Sequence, residues 1–179
     1  MHVELEVLKL VSERLDAVRV PYMLTGSFAM AYYGQPRMTR DIDLVVALVV
    51  DDIPAIVSAL SPDFYIDGDE ARSAVESQRL FNVMHHATGV KVDLIVRKGS
   101  EYRQVEFARR RDIEMSGIRT CIVSQEDLIL SKLVWAREAN SELQRRDVAV
   151  LLDESVDRKY LDQWATRLGV AEILAVVSR

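Results

Sequence analysis

The chain has one cysteine, Cys121, among 179 residues. That excludes an internal disulfide and any cysteine-built metal cluster, and it fits a reducing cytosol. Histidine is scarce as well. His85 and His86 are adjacent, and neighbours on a strand face opposite sides, so the two cannot easily share one metal ion. They read as structural or surface residues. No apolar run approaches the ~18 residues of a membrane span. The first residues, Met1-His2-Val3-Glu4-Leu5-Glu6, carry acid where a secretory leader carries base. A cytoplasmic protein without membrane contact is the expectation. There is no repeat, no low-complexity tract and no flexible linker. The net charge of −5 argues against a protein whose main task is to coat nucleic acid, although a local basic patch stays open.

What the chain does have is 49% hydrophobic and 28% charged residues. A chain of this length can bury roughly 70% of its unfolded surface in one core. The pattern predicts an α/β (α+β) protein, a mixed β-sheet flanked by helices with a helical C-terminal extension. A helix is expected over 4–18, with Leu8, Val11, Leu15 and Val18 on one stripe. Val20 to Leu24 reads as a short strand. A helix begins at Asp51-Asp52-Ile53-Pro54, capped by acid with proline in its first turn, and ends at Leu60. Phe64-Tyr65-Ile66 reads as a strand, and Asp69 to Ser77 as a short polar helix. Leu80 to His86 and Val90 to Val96 flank Ala87-Thr88-Gly89 as a hairpin. From Tyr102 the chain is a helix or irregular segment through Arg110, then a strand pair around Gly117 ending at Val123. Beyond it everything reads as helix, over 125–139, 141–153, 157–167 and 170–178. The shift in composition near 124 divides the chain into a core domain, 1–123, and a helical subdomain packed on it, 124–179.

The stretch from Leu24 to Val46 organises the rest. An apolar run ends in a Gly26-Ser27 corner that opens a short helix. After Gly34-Gln35-Pro36 the chain returns through Arg37-Met38-Thr39-Arg40 as a strand carrying Asp41 and Asp43. Side chains alternate faces on a strand, so both carboxylates point the same way, with Cα atoms roughly 6.6 Å apart. Ile42, Leu44 and Val46 then point into a core. Carboxylate oxygens suit a hard divalent cation such as Mg²⁺, which usually takes one or two of them and leaves the rest of its shell to substrate phosphates. The Gly-Ser corner is the natural place for those phosphates, because a helix N-terminus offers unpaired N–H groups and partial positive charge.

Gly-Ser, a helix of spacing, then Arg-x-Thr-x-Asp-x-Asp resembles the nucleotidyltransferase superfamily of the DNA polymerase beta type. Asp93, in Lys91-Val92-Asp93-Leu94-Ile95-Val96, fills the place of that family's third carboxylate. Glu126 to Leu133, which contains Lys132, and Arg145-Arg146-Asp147-Val148 resemble the last two motifs of the AbiEii/MenT branch, the toxins of abortive-infection and toxin–antitoxin systems. The matches span residues 20–153. The resemblance implies a nucleotidyltransferase-type fold and transfer of a nucleoside monophosphate from an NTP to a hydroxyl acceptor. Asp41, Asp43 and Asp93 would hold a two-ion Mg²⁺ site, with Mn²⁺ as a substitute, and Asp93 would act as base. Gly26, Ser27, Arg37, Thr39, Lys132 and Asp147 would bind the nucleotide. The implied acceptor is tRNA or another macromolecule, with a cognate antitoxin or toxin as partner. A small-molecule, antibiotic-type enzyme and a non-catalytic nucleotide-binding or antitoxin-like module are the alternatives. Phosphatases of the haloacid dehalogenase kind also use Asp-x-Asp, but after an apolar strand; here the apolar run follows the pair.

Each of these residues also has a plainer role open to it. The three aspartates could pair with Arg37, Arg40 or Lys91 at a strand edge. Ser27 could be a helix cap. Lys132, flanked by Leu128, Trp135 and Ala139 on an apolar stripe, and Asp147, flanked by Leu143, Val150 and Leu151, could form a partly buried ion pair. Arg103, Arg109-Arg110-Arg111, Arg119 and Arg145-Arg146 make either a basic path for RNA or a solvated charged face. Tyr32-Tyr33 and Trp135 either stack a base or fill the core.

Overall fold

The computed structural model describes residues 2–34 and 41–178. Along the chain these form α1 (His2–Ala17), β1 (Tyr22–Leu24), α2 (Gly26–Tyr33), β2 (Asp41–Val46) and a 3-10 turn (Val50–Asp52) running into α3 (Ile53–Leu60). Then come β3 (Phe64–Tyr65), α4 (Gly68–Glu76), β4 (Leu80–His85), β5 (Lys91–Val96), α5 (Glu101–Ala108), β6 (Arg111–Met115) and β7 (Ile118–Ile122). The chain ends in α6 (Gln125–Ala139), α7 (Glu142–Leu151), α8 (Arg158–Arg167) and α9 (Ala171–Val177). This is the mixed α/β arrangement the sequence predicts, with bounds shifted by a residue or two. The Gln35-Pro36 turn and the Arg37–Arg40 approach to the strand lie outside the described residues, so the expectations for Arg37 and Thr39 do too.

The sheet runs β3-β4-β5-β2-β1-β7-β6. The β2–β5 and β1–β7 pairs are parallel, and the other neighbours are antiparallel. The strand β2 therefore lies at the centre, held on one side by β1 and on the other by β5. Its alternation is strict: Ile42, Leu44 and Val46 are fully buried, and the residues between them are not. The matching residues of β5, Val92, Leu94 and Val96, are buried in the same way. One parallel pair thus presents an apolar face to the core and a polar face to the other side.

Two local expectations change. Asp52 does not cap α3; its carboxylate instead accepts from the Val49 backbone N–H at 2.9 Å, which tightens the 3-10 turn. Ser27 does not cap α2 either, because Thr25 holds the N-cap position and Ser27 lies inside the first turn. The later helices follow the capping rules closely. Ser124, Ser141 and Asp157 each accept a backbone N–H at the start of α6, α7 and α8. Apolar residues of these helices, among them Leu128, Leu133, Val148 and Leu161, belong to the same buried cluster as the sheet. No helix among the described residues is long and apolar enough to cross a membrane.

Candidate active site

The site begins with strand register. Asp41 stands opposite Lys91, and Asp43 opposite Asp93, on the parallel strands β2 and β5. Neighbouring strands lie about 4.8 Å apart and alternate residues about 6.6 Å apart, so these four side chains form a small charged grid on one face of the sheet. Asp93 is fixed from its other side as well, because β4 pairs Asn82 with it. A hairpin turning at Gly89 and a crossover from β2 through α3 and α4 together bring residues fifty apart into register. Sequence spacing alone does not contain that information.

Gly26 locks the grid to the helix. Its φ is +62°, which disfavours L side chains, and a Cβ built on it would lie 2.0 Å from Asp43 Oδ2 and 2.9 Å from Asp43 Cβ. Only glycine lets the carboxylate reach the start of α2. There the Ser27 backbone N–H donates to Asp43. The corner predicted to hold phosphate thus spends at least one of its N–H groups on an aspartate. Burial, reinforced by the charges of Asp93 and Asp41, raises the Asp43 carboxyl to about 6, against the pull of the Ser27 bond and of Lys91.

Lys91 neutralises part of this charge. Its ammonium lies 3.0 Å from Asp93 Oδ2 and 3.5 Å from Asp41 Oδ2. The hydrogen bond to Asp93 is the first cause of its raised pKa. The three carboxylates share one face of the sheet, with the Lys91 ammonium between Asp41 and Asp93. As the side chains stand, the described residues hold no cluster of three or more His, Cys, Asp or Glu groups arranged around an ion. The pairing with Lys91 and the metal-site reading coexist in one arrangement. Asp93 Oδ1 is buried with no hydrogen-bond partner among the described residues, and Asp43 is short of positive charge. An all-oxygen donor set with an unpaired buried carboxylate oxygen fits Mg²⁺ or Mn²⁺.

Beside the grid lies a cavity of about 270 Å³, bounded by Gly26 and Asp43 at one end and by Arg97, Lys132 and Trp135 further along. Its floor is the continuation of the same face, Val45 and Ile95. Lys132 reaches it from α6 and also makes the expected ion pair, 2.6 Å from Asp147 Oδ2 and 3.1 Å from Gln144 Oε1. Both members are nearly inaccessible, at 5% and 7% exposure. Asp147 does not line the cavity; it stands behind Lys132. Trp135 is not a core residue. It is 57% exposed at the cavity's edge, on the side of α6 away from the buried Leu133 and Ala136. Leu143 and Val150 are exposed too, so the apolar side of α7 is narrower than expected.

The arginines divide: Arg111, Arg119 and Arg146 are exposed, while Arg103, Arg109 and Arg145 are drawn into bonds within the protein. Arg103 donates to Glu106 and to Ser131 Oγ, at 2.8 and 2.7 Å. Arg109 donates to Asp127 and Glu126, at 3.0 and 3.1 Å, and stacks over the Tyr160 ring. Arg145 is held by Glu142 and Asn140. Arg103 and Arg109 bind α5, α6 and α8 to one another, while Arg145 is held within the start of α7. Tyr33 ties α2 to the end of β7 through the Val123 carbonyl at 2.8 Å, while Tyr32 is exposed. His85 bonds Thr88 within the hairpin.

Comparison with solved structures places the fold. The chain is similar to the antibiotic-resistance factor ANT(2'')-Ia, with TM-score 0.58 and 13% identity over 98% of this chain and 89% of that one. It is similar to a nucleotidyltransferase-like protein from Paracoccidioides brasiliensis, with TM-score 0.56 and 17% identity over 97% and 91%. It is also similar to the lincosamide antibiotic adenylyltransferase LnuA in its lincomycin-bound form, with TM-score 0.54 and 13% identity over 84% and 96%. At these identities the likeness is one of fold: the chain has the nucleotidyltransferase fold. No protein-family model matches it. No curated protein matches it either.

Proposed function

We propose that this protein is a divalent-metal-dependent nucleotidyltransferase, moving a nucleoside monophosphate from an NTP to a hydroxyl acceptor with release of pyrophosphate. One observation carries the reading: Asp43 and Asp93 stand in register on adjacent parallel strands, with Asp43 seated against a glycine that alone allows the contact. Residues 1–123 are then the nucleotidyltransferase domain, and 124–179 the helical subdomain that walls the cavity. Asp41, Asp43 and Asp93 would hold Mg²⁺ or Mn²⁺. A bound ion supplies charge neutralisation between these carboxylates and the triphosphate oxygens, and a pair of ions would steady both the entering and the leaving oxygen.

The chain's own groups account for the rest. Gly26 lets Asp43 close on the start of α2, at the end of the cavity that would take the triphosphate. Lys132 meets it from α6, with Asp147 and Gln144 holding the ammonium in place, which makes Asp147 a positioning residue. Asp93 would accept the proton of the attacking hydroxyl through Oδ1, which has no hydrogen-bond partner among the described residues. The face of Trp135 offers a platform for a base or an aromatic acceptor.

The order of Lys132 and Asp147 after the aspartates supports an AbiEii/MenT-type role in a toxin–antitoxin or phage-defence system, with tRNA or a partner protein as acceptor. A small-molecule acceptor is the second reading. It is favoured by the structural likeness to ANT(2'')-Ia and LnuA, and by the intramolecular pairing of Arg103, Arg109 and Arg145, which would otherwise be open to RNA. Incubation with labelled NTPs and Mg²⁺ against tRNA, aminoglycosides, lincosamides and the protein itself tests both. Transfer to tRNA or protein supports the first, and transfer to a drug the second. NTP binding without any product would leave a nucleotide-binding module.

A further inference from the structure

Lys91 is the only cation recorded in contact with the carboxylate grid among the described residues, and its place is dictated by register. It is two residues before Asp93 on β5, hence on the same face, and directly opposite Asp41 on β2. Its ammonium touches one oxygen of each, at 3.0 and 3.5 Å, and leaves Asp93 Oδ1 bare. The side chain is 35% exposed, so a path to solvent is open to it. A lysine here is costly to a metal site, since an ammonium and a divalent ion repel each other within the same few ångströms. It is helpful to the carboxylates themselves, where it offsets part of their negative charge.

We propose that Lys91 is a tethered cation which occupies the Asp41–Asp93 side of the site in the metal-free protein and is exchanged for a divalent ion on binding. The inference rests on the metal-binding reading above. Lys91 would set metal affinity rather than take part in the reaction. The Asp43 side, which Lys91 does not touch in this arrangement, would fill first. The Asp41–Asp93 side would fill only when the lysine swings away, so the two ions would bind with unequal strength.

The test is Mn²⁺ titration of the metal-free protein by calorimetry and paramagnetic resonance, together with its melting temperature in EDTA. Three variants are compared with the parent chain: Lys91→Met, Lys91→Arg, and Lys98→Met, which removes a cavity lysine that is not paired with these aspartates. Lys91→Met should tighten the weaker Mn²⁺ site about tenfold or more and lower the melting temperature in EDTA. Lys91→Arg should stay near the parent chain in both. Lys98→Met should change Mn²⁺ affinity far less. If Lys91→Met fails to fold, Lys91→Gln carries the same expectation. Equal Mn²⁺ binding by the parent chain and Lys91→Met would overturn the exchange while leaving the metal site standing. Equal tightening by Lys91→Met and Lys98→Met would overturn it as well, in favour of a long-range field effect. No Mn²⁺ binding by any of them would overturn both this inference and the metal-binding reading.

Discussion

Two regions of this molecule are rich in buried charge, and they treat it in opposite ways. Where α5, α6, α7 and α8 meet, most buried charges face an opposite one, although burial still raises the Glu106 carboxyl and Arg145 Nε has no partner among the described residues. Asp127 is fully buried yet bonded to Arg109, Ser124 and Tyr160; Glu106 takes Arg103 and Ser131; Lys132 takes Asp147 and Gln144. On the β2–β5 face the balance fails. Lys91 is shared between Asp41 and Asp93, one buried oxygen of Asp93 has no partner among the described residues, and Asp43 is pushed toward its protonated form. A buried charge that is fully bonded holds a fold together, whereas one left short marks a place where a ligand completes the set.

That contrast can be broken by mutation. In the matched region, removing one partner weakens the hold on the other. Lys132→Met should cost about 4 kcal/mol in urea unfolding, because Asp147 is left buried with its main partner gone. Adding Asp147→Leu should restore most of that stability without restoring nucleotide binding. If the single variant proves nearly neutral, the pair is not the structural element described here. At the boundary between the regions, Gly26→Ala should cost about 3 kcal/mol, from the left-handed backbone and the collision with Asp43, and should abolish metal-dependent nucleotide binding.

On the grid the sign reverses. Folded Asp43 titrates at about 6 and an unstructured one near 3.8. Between these values the folded chain holds more protons, so stability falls as the pH climbs through 6, and the penalty is absent below the lower value. Asp43→Asn removes it. In EDTA at pH 8 that variant should be more stable than the parent chain, by about 2 kcal/mol, with little difference at pH 4. A loss of stability at pH 8 would mean that the Asp43 charge is already well compensated.

Much of this was legible in the sequence because it is local. Alternation placed Ile42, Leu44 and Val46 inward and Asp41 and Asp43 outward, and the Gly-Ser corner and the hairpin at Gly89 carried their own turn chemistry. Non-local features were not. Nothing in the segment 111–122 says that β7 inserts beside β1, and nothing in Lys91-Val92-Asp93 says which residue of β2 each will face. The lysine's contact with Asp41 follows from that register alone. The helical charges were misread for a related reason: Arg103 and Arg109 look solvated in a one-dimensional pattern, and only the packing of α5 on α6 shows what they hold. Spacing left Trp135 open between the core and a stacking role; it lies on the outer side of α6, exposed while its neighbour Ala136 is buried.

The central claim is that the β2–β5 carboxylates bind a divalent ion together with a nucleotide. Calorimetric titration with each NTP, with and without Mg²⁺, on the parent chain and on Asp93→Asn, tests it most directly. The account predicts Mg²⁺-dependent binding by the parent chain and at least tenfold weaker binding by a variant that unfolds at the same temperature or higher. Equal nucleotide binding by both, or binding indifferent to Mg²⁺, would contradict it.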